Sequence, residues 1–282
     1  MLNRERYRSV LFRAARRVRP TLRAASGSAI FHVSTRDRVL GRHVYVHGDF
    51  EAAILYRAYT LLAEWGRPAT GTMIDIGANI GTTCIQAVVD GLAPAAIAIE
   101  PEPGNFALLE RNIRANRVDG HIEALCVALS DREGTAELEL SEDNSGDHRI
   151  RVQAAGAGSF REDRRATCPI PTTTFDTLVG SGKIKLAATG IVWIDVQGHD
   201  GHVLAGASTL RETGIPVVVE FWPYGLGRSG GLERLESVVE RDYRWFIDLR
   251  AAHPERRPVA DIAALRESIQ SPYFTDLLLL KD

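Results

Sequence analysis

The side chains able to do chemistry gather in a few short segments of the 282-residue chain, and the first two suggest a nucleoside ligand. Asp75-Ile76-Gly77-Ala78-Asn79-Ile80-Gly81 places an acid, an asparagine and two glycines in one loop. Gly77 and Gly81 would let the chain turn sharply and approach a ligand, while Asn79 tolerates unusual backbone angles and would cap the following helix. Glu100 precedes Pro101, and its carboxylate can accept hydrogen bonds from both hydroxyls of a ribose. The D-x-G-x-N-x-G spacing departs from the G-x-G-x-x-G of dinucleotide sites. An anion at Asp75 is costly beside a pyrophosphate and favourable beside a sulfonium and an ammonium. S-adenosylmethionine is therefore the expected cofactor, and a nicotinamide dinucleotide is disfavoured.

Three later segments carry the remaining candidates. Ser130 and Asp131 would present backbone and carboxylate to an adenine amino group, although a turn anchored by Asp131 and Gly134 accounts for the same residues. Asp195, Gln197, His199 and Asp200 follow a strand pattern, beside the place a transferred methyl group would occupy. A hydroxyl acceptor must be aligned and must lose its proton. His199 is the first candidate base because an ordinary imidazole titrates near neutrality. Asp195 would orient it, contact the cofactor or act as the base itself, and His148 is the rival base. Gln197, Glu220, Trp222 and Arg149 are the candidate acceptor contacts, with the aromatics either forming a sugar-stacking wall or belonging to the core. His199-Asp200-Gly201-His202 also invites a metal reading, but ligand-type side chains so close on a helix start rarely converge on one ion, and no metal is expected.

These segments need a scaffold. Residues 73–76 read as a strand, 80–90 as a helix, 95–99 as a strand and 104–115 as a helix, a rhythm that predicts parallel strands joined by crossover helices. A strand over 122–128 leads into a turn-rich stretch with strands at 135–140, near 150 and near 168. The rhythm then resumes with helices over 174–179, 201–213 and 232–240 and strands over 191–196 and 216–221. Strands at 243–249 and 273–280, separated by a short helix at 261–268, would close a doubly wound α/β sheet with an antiparallel hairpin. Upstream, a basic helix ending near Pro20, short strands at 29–34 and 43–47, and a helix over 50–65 form an annex. The expected division is an annex over 1–68 and a main domain over 69–282.

Composition sets outer limits. Hydrophobic residues make up 45% and charged residues 25% of the chain, as in globular enzymes. A formal charge of −2 gives no overall field for nucleic acid, and no nucleic-acid partner is expected. Arg4, Arg6, Arg8, Arg13, Arg16, Arg17, Arg19 and Arg23, interleaved with Leu2, Tyr7, Val10, Leu11, Phe12 and Val18, make an exception. This basic amphipathic segment would pack on the domain or a second subunit, or lie on anionic lipid, so a homo-oligomer and peripheral membrane contact both stay open. It lacks the apolar core of a signal peptide, and a cytoplasmic protein is expected. Cys84, Cys126 and Cys168 are too few and too widely spaced for a disulfide framework, and Cys84 and Cys126 read as buried thiols.

Taken in order, residues 74–81, Glu100-Pro101, Ala128-Leu129-Ser130-Asp131, Thr174-Phe175-Asp176 and Ile194-Asp195-Val196-Gln197-Gly198-His199-Asp200 resemble the FkbM family of S-adenosylmethionine-dependent methyltransferases, over about residues 72–223. The resemblance implies a seven-stranded class I methyltransferase fold, Rossmann-like, and methylation of a hydroxyl on a sugar, glycan or natural product. Acceptors of another kind, a protein or small amine, and a non-catalytic cofactor-binding module are the alternatives. Where the family commonly carries Asp-Val-Glu-Gly, this chain has Gln197, with one negative charge fewer beside the expected acceptor. The loop over 143–149 corresponds to a family segment that would close over cofactor or acceptor.

Overall fold

The computed structural model describes residues 2–151 and 158–282. Helix α1 (Leu2–Ala15) leads into a hairpin of β1 (Thr21–Ser26) and β2 (Ala29–Ser34), followed by α2 (Leu40–His47) and α3 (Ala52–Glu64). The strand expected at 43–47 is instead the end of α2. His43-Val44-Tyr45-Val46-His47 alternates like a strand, but Leu40 and Val44, one helical turn apart, are both buried, and packing selects that period. The partner of β2 is β1, drawn from residues just past the basic helix.

The main body runs β3 (Thr72–Ile76), α4 (Thr82–Val89), β4 (Ala96–Ile99), α5 (Pro103–Ala115) and β5 (Ile122–Leu125). A separate four-stranded sheet follows, formed by β6 (Ala128–Leu129), β7 (Gly134–Leu140), β8 (Arg149–Ile150) and β9 (Ala166–Thr173) in the order β6-β9-β7-β8. The chain then returns through α6 (Phe175–Gly180), β10 (Thr189–Ile194), α7 (Asp200–Ala205), α8 (Ser208–Arg211), β11 (Val217–Phe221), α9 (Pro223–Ser229) and α10 (Leu232–Asp242). It ends with β12 (Trp245–Asp248), β13 (Arg257–Pro258), α11 (Ile262–Ser268) and β14 (Thr275–Leu280).

The large sheet has the order β13-β12-β14-β11-β10-β3-β4-β5, with β14 antiparallel to both neighbours. This is the expected doubly wound class I sheet with its closing antiparallel pair, and the two-residue β13 adds an eighth strand at one edge. Its strands are apolar on both faces because both are covered. Met73, Val218, Leu278 and Leu280 face one core with α3, α4 and α5. Ile74, Val217, Val219, Leu277 and Leu279 face the other with α7 and α10. Phe12, Ala24, Phe31 and Val33 from the first 34 residues join the former core.

Two departures bear on the site. The helix expected over 201–213 is broken into α7 and α8, because the Asp176 carboxylate accepts hydrogen bonds from the Ser208 and Thr209 amides at 2.9 Å each and starts a new helix there. Helix α9 was not expected, since Gly225, Gly227 and Ser229 are poor helix formers. Close backbone packing holds it: a Cβ at Gly198 would collide with Gly225. Of the cysteines, Cys84 is buried as expected but Cys126 is exposed. Among the described residues, no helix is long and apolar enough to cross a membrane.

Candidate active site

Strand register assembles the site. Ile76 of β3 pairs with Ile194 of β10 and with Ile99 of β4, so the next residues, Gly77, Asp195 and Glu100, emerge side by side at the carboxyl edge of the sheet. Ile194 also pairs with Val219 of β11, which brings Glu220 level with Asp195, and Glu220 in turn pairs with Asp276 of β14. Ligands in such sheets bind beyond this edge, where the strand order reverses. A cavity of about 450 Å³ lies there, lined among others by Asp75, Asn79, Glu100, Asp195, Gln197 and Glu220. That volume lies in the usual range for a small-molecule site.

On the cofactor side, Glu100 is buried and accepts hydrogen bonds from the amides of Asn79 (2.9 Å) and Glu102 (2.8 Å). Burial pushes its carboxyl up to about 7, against those hydrogen bonds. Asp75 is likewise pushed up to about 7 by burial, with the Cys84 amide donating to it at 3.2 Å. Asn79 does not cap α4, since Gly81 takes the cap position without a side-chain bond. Its backbone is left-handed (φ 51°), its Nδ2 donates to the Ser145 carbonyl at 2.9 Å, and its Oδ1 is buried with no partner among the described residues. Asn105 of α5 donates to the same carbonyl at 3.0 Å, which pins the 143–149 loop over the cavity. Gly77 and Gly81 serve packing more than ligand approach. Both have positive φ, a Cβ at Gly77 would overlap the Asp195 carbonyl oxygen, and one at Gly81 would lie 2.6 Å from Ile85.

On the acceptor side, Gln197 holds a left-handed backbone (φ 55°) and its Nε2 donates to Asp195 at 2.7 Å, with both Glu220 oxygens at 3.3 Å. A residue kept in that backbone region costs free energy and marks a site the surroundings over-determine. Burial, then the charge of Glu51, raises Asp195 to about 6, while Gln197 lowers it. Burial, followed by the charges of Asp195, Asp200 and Asp276, holds Glu220 well above the usual carboxylate range. Arg250 ties Glu51 (2.5 Å) to Asp276 (2.6 Å) on the far side of the row. Trp222 and Phe160 form an aromatic wall at 5.6 Å, with the Arg149 guanidinium 4.4 Å over Trp222. Arg149 is buried and committed to Asp147 and Glu162.

Several expectations need correction. His199 lines the cavity, but its Nε2 is 2.9 Å from Ser130 Oγ, and burial followed by the charge of His202 lowers it to about 3. It is a neutral wall residue and a poor base near neutral pH. Among the described residues, the wall at the third strand ends with Val127, Ala128 and Leu129. Ser130 lies past it on His199, and Asp131 turns to Arg234 at 3.2 Å. His148 does line the cavity, but its Nδ1 accepts from the Ser141 amide at 3.0 Å and burial lowers its pKa, which leaves it a loop anchor. His199 and His202 stack ring on ring at 4.3 Å, while Asp200 accepts from the Gly198 amide and His202 Nε2 meets the Ser229 carbonyl. Glu51, Arg250, Asp276, Asn105 and Phe160 were missed. Each joins the site only through strand register or tertiary packing, which no local spacing reveals.

The methyltransferase FkbM domain pattern matches residues 75–244, well over half of the chain. The chain belongs to that family. The buried carboxylates of Asp75 and Glu100 and the Asn79 oxygen, unpartnered among the described residues, form a set of acceptors that suits the ammonium, sulfonium and ribose diol of S-adenosylmethionine. The methyltransferase is 29% identical over 146 residues to the hexuronic acid methyltransferase AglP of Haloferax volcanii, covering 52% of this chain and 54% of the relative. It is 26% identical over 206 residues to the 31-O-demethyl-FK506 methyltransferase FkbM of Streptomyces tacrolimicus, covering 66% and 75%. The chain thus spans about half the length of the first relative. Among solved structures it resembles the methyltransferase FkbM of Methylobacillus flagellatus, with 17% identity, a TM-score of 0.46, and coverage of 75% of this chain and 44% of that one.

Proposed function

We propose that this methyltransferase methylates a hydroxyl group on a sugar, glycan or natural product, with Asp195 as the general base. The carrying observation is the row Asp195–Gln197–Glu220 on the acceptor side of the cavity, level with Glu100 along the sheet edge. Bound S-adenosylmethionine supplies a methyl carbon activated by its sulfonium. Glu100 holds the ribose and Asp75 with Asn79 the amino-acid end. Asp195, raised toward neutrality by burial, accepts the acceptor's proton as the oxygen attacks. Gln197 and Glu220 fix the acceptor hydroxyl, and Trp222 and Phe160, with Arg149 stacked on both, wall the acceptor side of the cavity. Residues 1–68 form the annex and 69–282 the catalytic domain.

The names of the two relatives, one a hexuronic acid methyltransferase and one a 31-O-demethyl-FK506 methyltransferase, support acceptors of the sugar and natural-product classes. The acidic lining favours a neutral group at the transfer point over a carboxylate, because Arg149 is already paired. The same acidity supports a second reading, an amine acceptor. Replacing the base tests the assignment. Asp195→Asn is expected to lower turnover by about a hundredfold or more, with calorimetric affinity for S-adenosylhomocysteine within a factor of a few of wild type. Undiminished turnover would remove Asp195 from the chemistry.

A further inference from the structure

Helix α1 has two apolar sides, and the fold uses only one. Phe12 is buried, its ring 5.6 Å from that of Tyr45 in α2, with Arg8 stacked on the Tyr45 ring and Ser9 bonded to Arg42 at 2.9 Å. At 3.6 residues per turn, Tyr7, Val10, Leu11 and Ala14 share an arc on the opposite side. Tyr7 and Val10 are about two-thirds exposed (65% and 64%), and Leu11 and Val18 are exposed as well. These account for half of the exposed large apolar side chains found among the described residues. Arg4 flanks the arc on one side and Arg6 and Arg13 on the other. None of the three makes an ion pair among the described residues.

We infer that the outward face of α1 docks this methyltransferase on an anionic lipid surface. Apolar residues on a helix, rimmed by arginines, match the two layers of a membrane interface: the side chains enter the acyl boundary while the guanidiniums stay at the headgroups. A second copy of the chain is a poorer fit. Residues 1–19 hold seven arginines against one acid, Glu5, and Glu5 already pairs with His47 on the inner side, so pairing two such faces would bring like charges together. A phosphate backbone would satisfy the arginines and leave Tyr7, Val10 and Leu11 uncovered. The docked helix packs on α2, whose first residue, Leu40, lines the active-site cavity.

The test is sedimentation of the full chain with vesicles of phosphatidylcholine, alone or mixed with phosphatidylglycerol. Binding is expected only to the mixed vesicles, weakening as salt is raised. Arg4→Gln, Arg6→Gln and Arg13→Gln should each weaken it about fivefold, equivalent to the about 1 kcal/mol a basic residue contributes near an anionic surface. Tyr7→Asp with Val10→Asp should abolish it. Both changes lie on the exposed side and leave Phe12 in place, so S-adenosylhomocysteine binding and the far-ultraviolet spectrum should match wild type. Failure of the wild-type chain to bind mixed vesicles would overturn the inference. So would undiminished binding by the double variant, or a dimer in light scattering that the double variant disperses. Because none of these readouts requires methyl transfer, they stand apart from the identity of the acceptor.

Discussion

At the scale of single residues, Gln197 does the most to set the chemistry. Its amide separates two buried carboxylates, giving a neutral donor to each where the family's usual glutamate would add a third charge. The free enzyme's kcat/KM should rise with pH through about 6 as Asp195 loses its proton. Gln197→Glu removes the donor that lowers Asp195 and adds a like charge, so both changes move the acid limb of the profile upward, by roughly one pH unit or more. An unmoved limb in that variant would mean that Asp195 is not the titrating group. His199 shows the limit of residue-level inference. An imidazole after a strand end looked like a base, but burial lowers its pKa, and that burial comes from other parts of the chain.

At the scale of elements, the site depends on how closely strands β3 and β10 approach. Gly77 sits where a side chain would overlap the Asp195 carbonyl, in a left-handed backbone besides. Gly77→Ala should therefore destabilise the fold by about 3 kcal/mol or more, seen as a lowered urea midpoint, and should weaken S-adenosylhomocysteine binding along with it. Unchanged stability would contradict the close strand contact. The alternating strands and helices from Thr72 to Ala115 were legible in the sequence because local period and buried surface agree there, with Glu102 capping α5. Where they disagree, reading failed. Residues 43–47 alternate like a strand yet pack as a helix, Pro223–Ser229 is rich in glycine yet helical, and the helix after Gly201 breaks at an Asp176 cap contributed by α6. The 75–81 loop and Glu100, which line the cavity, were readable from spacing. The Arg250–Asp276 support was not, since it arises from the register of β14 against β11.

At the scale of the whole molecule, the carboxyl edge of the sheet gathers buried acids. Asp75, Glu100 and Asp276 are raised to about 7 and Asp195 to about 6, with burial the leading cause in each. A carboxyl raised in the folded state contributes stability that is fully present below its unfolded value near 4 and is lost as pH rises through the folded value. Without ligand, the unfolding temperature should therefore fall as pH increases from about 5 to 8, apart from the opposing contribution of histidines lowered by burial, such as His199 and His148. S-adenosylhomocysteine brings an ammonium and ribose hydroxyls to these ionised groups, so its thermal shift should be larger at pH 8 than at pH 5.5. A shift independent of pH would place the ligand away from the buried acids.

The most direct test of the proposed chemistry is the product formed with isotopically labelled methyl-donor cofactor and a panel of neutral, amino-bearing and carboxyl-bearing saccharides. The expected product is a labelled methyl ether, stable to alkali, formed on a hydroxyl by the wild-type chain and nearly lost with Asp195→Asn. Label recovered instead in an alkali-labile ester or on nitrogen would contradict hydroxyl methylation, and an equal yield from the variant would contradict Asp195 as its base.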